Sequence, residues 1–150
     1  MTADKTLSLY FSLFNEIGII SQLSSALVNE QLPKGLSNAH FNVLIHLDRL
    51  GDGQTPLAIS RAFQLPKTTM THTLCGLETH QLIEMRPNPK DGRSKCVWLT
   101  QKGHAFRNKI INNLAPDLIK LSTQIPQDRI LNTITGLAEI RKIMDANRED

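Results

Sequence analysis

Two helix-start signals follow one another closely in "TPLAISRAFQLPKTTMTHTL", residues 55–74. Thr55-Pro56 supplies a capping hydroxyl and then a proline at the first helical position, where its missing N–H costs nothing. Leu65-Pro66-Lys67 repeats the start signal. One helix therefore runs only through Phe63, and the next, reaching about His80, opens after a brief turn. Two short helices joined this tightly read as a helix-turn-helix.

Longer helices are predicted on both sides. From Thr6 to Leu32, Tyr10, Leu13, Phe14, Ile17, Ile20, Leu23 and Leu27 recur at helical spacing until Pro33-Lys34-Gly35 stops the run. A second helix, capped by Ser37, carries Phe41, Leu44, Leu47 and Leu50 and ends at Gly51-Asp52-Gly53. After the helix pair, Ile83–Arg86 and Cys96–Leu99 hold β-formers around a turn containing Pro89 and Asp91-Gly92, which predicts a hairpin. Thr100 can cap a further helix whose stripe of Phe106, Ile110, Ile111, Leu114, Leu118 and Leu121 extends to about Ser122. Pro126 restarts a last one with Ile130, Ile134, Leu137, Ile140 and Met144 on its apolar side. The terminal helices carry more apolar surface than the small central unit can cover, which predicts burial against a second copy.

Charge is unevenly placed. Of the chain's 17 Lys and Arg and 14 Asp and Glu, nine basic residues and three acidic ones lie between Arg61 and Lys109. A basic middle flanked by mildly acidic ends is the footprint of a nucleic-acid surface. At 150 residues, 40% of them hydrophobic, the chain can bury a real core. Cys75 and Cys96 are isolated, without metal-type spacing, which fits a reducing compartment. No leader pattern is visible and no apolar stretch approaches the length of a membrane span, so the chain is expected to be cytoplasmic, with no membrane partner. Catalysis has little to rest on: there is no Gly-rich phosphate loop, nucleophile elbow or pair of carboxylates at useful spacing.

Within the second helix of the pair, Met70, Leu74 and Leu77 share a core-facing side, which turns Thr68, Thr71, His72, Cys75 and Thr79 outward. Short hydroxyls suit close approach to a major groove, and the helix start near Lys67 attracts phosphate. At the hairpin tip Lys90, Arg93 and Lys95 can reach phosphates or a narrow minor groove, with Asp91 holding Arg93 extended.

"LPKTTMTHTLCGLE" (65–78) and "NPKDGRSKCVWLTQKG" (88–103) resemble the recognition helix and the wing of the MarR family of bacterial transcriptional regulators. The wing carries the Asp-x-Arg element at Asp91 and Arg93 and the Leu-Thr-x-x-Gly close at Leu99, Thr100 and Gly103. With the flanking helices in order, the resemblance covers nearly the whole chain. It implies a mainly α fold with a small β-hairpin wing: a dimerisation helix over 1–35, a winged helix-turn-helix DNA-binding domain over 36–103, and C-terminal dimerisation helices over 104–150. It implies a homodimeric, sequence-specific regulator of the repressor kind that binds double-stranded DNA at a palindromic operator. DNA contacts fall to Lys67, Thr68, Thr69, Thr71, His72, Lys90, Asp91, Arg93 and Lys95. The resemblance also leaves room for a small aromatic or phenolic effector, with Phe11, Phe14, His40, Phe41 and His104 as its lining. Zinc sensing through His40, His104 and Glu30 lacks a His-x-x-x-His pair, so no metal and no cofactor are expected. Three residues depart from the family pattern: Gln64 stands where a turn glycine is usual and should adopt a positive φ, His72 where arginine is frequent, and Ser60 where alanine is usual. The alternative function is a winged-helix module for protein–protein contacts, whose mark would be a neutral or acidic wing.

Overall fold

A computed structural model describes residues 2–148. Seven helices and one hairpin occur among them, in the order α1 (Ala3–Gln31), α2 (Asn38–Leu50), α3 (Pro56–Ala62), α4 (Lys67–Thr79), β1 (Ile83–Pro87), β2 (Lys95–Leu99), α5 (Gln101–Asn113), α6 (Ala115–Ser122) and α7 (Gln127–Ala146). The chain divides into two compact units, one reaching Asn113 and one beginning at Leu114.

The first unit is built on α2. Val43, Leu44 and Leu47 are buried on it, although Leu50, expected on the same stripe, is exposed. Around them pack Ile59 of α3, Met70, Leu74 and Leu77 of α4, and Leu82, Ile83, Val97 and Leu99 of the hairpin region. The outward turn of the α4 hydroxyls follows directly from that burial: Thr68, Thr71, His72, Cys75 and Thr79 are all exposed. Thr73, which the sequence pattern did not single out, is buried and donates its hydroxyl to the Thr69 carbonyl.

Both helices of the pair end the same way. Gln64 takes φ 53° as expected, and Gln81 takes φ 61° after α4. In each case the following amide reaches back across the last turn, Leu65 N–H to the Ser60 carbonyl at 3.0 Å and Leu82 N–H to Leu77 at 3.0 Å. This satisfies helix-end carbonyls that would otherwise be orphaned.

The hairpin is antiparallel, with Ile83 opposite Leu99 and Pro87 opposite Lys95. It also has a third partner. Gln54 bridges to Val97, with Gly53 N–H donating to the Val97 carbonyl and Val97 N–H to the Gln54 carbonyl, both at 2.8 Å. The Asp52 carboxylate accepts from Leu99 N–H at 2.7 Å. The Gly51-Asp52-Gly53 stretch thus ends α2 and also anchors the wing.

Two expectations are corrected. The single helix predicted from Thr100 to about Ser122 is interrupted between Asn113 and Ala115. Pro116 lacks an N–H and its ring collides with the carbonyl one turn back, so the ladder must restart around it. The second correction concerns α1, whose length and mean hydropathy of 1.2 over its most apolar stretch do reach those of a membrane-crossing helix. Polar residues Asn15, Glu16, Ser21 and Gln22 interrupt that stretch, and α1 is anchored to α2 by amides: Asn29 Oδ1 accepts from Asn38 N–H at 2.7 Å, and Asn38 Nδ2 donates to Ser25 Oγ at 2.9 Å.

The second unit consists of α6 and α7. Leu118, Leu121, Ile125, Ile130 and Ile134 line an apolar groove of about 360 Å³ between them.

Candidate nucleic-acid interface

The start of α4 is open. Its N-cap is Pro66, which offers no side-chain acceptor, and among the described residues no side chain caps the first amides of the helix. Thr55, by contrast, caps α3 by accepting from Ala58 N–H at 3.1 Å. On the exposed side of α4, Thr71 donates its hydroxyl to the Lys67 carbonyl at 2.8 Å. That leaves oxygen lone pairs and a methyl group facing outward. The hydroxyls of Thr68 and Thr69 make no bond among the described residues. Lys67, Thr68, Thr69, Thr71 and His72 therefore share an exposed, cation-led surface over the first turns of the helix.

The tip of the wing is folded by its own polar groups. Asn88 Oδ1 accepts from Lys90 N–H and Asp91 Oδ1 from Arg93 N–H, both at 3.0 Å, and Asn88 Nδ2 donates to Ser94 Oγ at 2.9 Å. Asp91 thus holds Arg93 through its main chain, and among the described residues no ion pair joins it to the guanidinium. Gly92 was expected to matter for the turn, yet it has an ordinary φ and a Cβ there would meet nothing. Lys90, Arg93 and Lys95 are exposed, and none forms an ion pair among the described residues. Arg86 behaves differently. It pairs with Glu84 and lies over the Trp98 ring at 4.1 Å, which fixes it against the wing face.

The close of the wing has a steric cause. Thr100 donates its hydroxyl to the Gln81 carbonyl at 2.7 Å and accepts from Gly103 N–H at 2.9 Å, which caps α5. A Cβ on Gly103 would lie 2.0 Å from the Leu82 carbonyl oxygen, so only glycine lets α5 sit against the hairpin.

The residues proposed for an effector are spread over the first unit. Phe11 and Phe14 are exposed on α1, while Phe41 is buried. His40 packs at the start of α2, over Gly76 of α4. His104 instead lies 3.5 Å from Asp48, which also binds Arg107 at 3.1 Å. Asp48 is about 12 Å further along α2 from His40, at 1.5 Å per residue, so the two histidines are not brought together within one chain.

A helix pair packed beside an anchored hairpin defines the class: a winged helix-turn-helix protein. Residues 34–94 match the model of the MarR family. Solved structures extend the likeness over most of the chain. Wild-type MarR from E. coli in its apo form is 25% identical, with a TM-score of 0.70 over 85% of this chain and 96% of its own. A MarR mutant from E. coli complexed with operator DNA is 25% identical, with a TM-score of 0.68 over 86% of this chain and 93% of that one. The transcriptional regulator BldR from Sulfolobus solfataricus shares the fold at 19% identity, with a TM-score of 0.75 over 95% of this chain and 99% of its own. Over residues 34–94 the chain matches the MarR family, and its fold is that of the MarR-family winged-helix regulators.

Proposed function

We propose that the protein is a homodimeric repressor that binds a palindromic operator in the cytoplasm, with α4 in the major groove and the wing on the flanking phosphates or minor groove. The observation that carries this reading is the wing tip: Lys90, Arg93 and Lys95 are exposed, without ion-pair partners among the described residues, on a hairpin tied to the same core as α4. Cations left unneutralised in this way favour a polyanion, because binding releases its condensed counterions. Lys67 and the first amides of α4 add phosphate contacts. Thr68, Thr69, Thr71 and His72 face the bases, and Asp91 shapes the tip that presents Arg93. The solved complex of a MarR mutant with operator DNA supports the assignment by similarity. The exposed apolar residues of α1 and the apolar groove of the second unit are surfaces for a second copy, which explains the hydropathy of α1 without a membrane.

Gel-shift titrations in rising salt test this. Arg93→Ala should weaken binding to every duplex by a similar factor and lower the salt slope by roughly one unit. An unchanged slope with an altered sequence preference would contradict the wing assignment. Retention of no duplex at any salt would favour a module for protein contacts.

A further inference from the structure

Beneath α4 lies a histidine that the DNA contacts do not use. His40 stands in the first turn of α2, and Ser37 N–H donates to its Nδ1 at 2.9 Å, with Ser37 Oγ 3.1 Å from the same nitrogen. A main-chain N–H can only donate. Nδ1 must therefore keep its lone pair, and the ring proton of the neutral histidine sits on Nε2. That edge of the ring lies on α4, where a Cβ built on Gly76 would come within 2.6 Å of Nε2, so a glycine is what admits the ring. His72 stands one turn before Gly76 and His80 one turn after it. His80 Nδ1 lies 2.9 Å from the Gly76 carbonyl, which makes it a donor to that oxygen. Burial, and after it the neighbouring His72 and His80, lowers the His40 pKa below 6.5. At the same end of α2, α1 contributes the uncharged Asn29 and Ser25.

We infer that His40 is a positioning residue for α4 that works only as the neutral Nε2–H tautomer, so that acid releases α4 from α2 and weakens DNA binding. The inference rests on the reading of α4 as the helix that contacts DNA. Protonation sets a second N–H against Ser37 N–H and opens the start of α2. It also places a cation at a helix N-terminus, where the helix dipole is positive, and opposite two other histidines. The released arrangement takes up the proton more readily than the packed one. The contact is therefore fully present above pH 6.5 and is lost as pH falls below it.

Two measurements on the full-length protein test this, using as probe a duplex recovered by selection from a random pool. Long-range nitrogen NMR on the wild type should show the His40 proton on Nε2 at pH 7.5 and a titration midpoint below 6.5, with Ser37 amide exchange quickening over the same range. In binding, His40→Gln keeps an acceptor for Ser37 N–H but cannot titrate. With each protein normalised to its own affinity at pH 7.5, the wild type should lose about fivefold more affinity by pH 5.5, the size of one helix cap. His72 and His80 are present in both proteins, so the comparison reads the change at residue 40. A proton on Nδ1, a midpoint at or above 6.5, or matching pH profiles in two proteins that both bind would overturn the inference alone. A wild type that holds no duplex at pH 7.5 would overturn the DNA reading and this inference with it.

Discussion

At Gly103 one missing side chain decides how two elements meet. A Cβ there would sit 2.0 Å from the main-chain oxygen of Leu82, just before the hairpin, which cannot rotate away. Gly103→Ala should therefore destabilise the protein by about 1–3 kcal/mol, the range of a forced overpacking, read as a lower midpoint in urea. A change within about 0.5 kcal/mol, ordinary for a surface site, would mean that α5 has room to shift. Gln64 predicts the opposite sign. A non-glycine residue in the left-handed region costs roughly 1–2 kcal/mol, and glycine forfeits roughly 0.5–1 kcal/mol of that in lost freedom. Gln64→Gly should thus stabilise the fold modestly; a loss of stability would show that the bond from Gln64 Nε2 to the Arg61 carbonyl outweighs the strain. The strain at Gln64 was legible in the sequence because a glycine is usual there. Gln81, with the same geometry at the end of α4, carried no comparable signal.

Among the elements, the start of α4 and the outward turn of its hydroxyls were legible because proline and helical periodicity act locally. Pro116 announces the break between α5 and α6, but the apolar stripe running across the proline masks the interruption. The third partner of the wing was not legible, because Asp52 and Leu99 are far apart in sequence and only the folded α2 brings them together. Asp52→Ala leaves Leu99 N–H without its acceptor and should cost about 1–2 kcal/mol. Asp52→Asn, which keeps an oxygen acceptor, should cost less. Equal losses in the two variants, measured by thermal unfolding, would assign the effect to charge and not to the hydrogen bond.

For the whole molecule, the amount of exposed apolar surface was foreseeable from helical spacing, but what covers it was not, since periodicity is blind to which chain supplies the partner. Phe11, Leu23, Leu131 and Ile134 are each more than half exposed, too much apolar surface to leave in water. Removing residues 1–32 should yield a protein that aggregates or loses operator binding; a well-behaved monomer with full affinity would refute the dimer. In the proposed complex two copies read DNA together through α4 and the wing. Its most direct test is selection of bound duplexes from a random pool by the full-length protein, followed by sequencing. The enriched sequences should form an inverted repeat whose half-sites are centred about 34 Å apart, one turn of DNA. Enrichment of an asymmetric single site, or of no sequence at all, would contradict it.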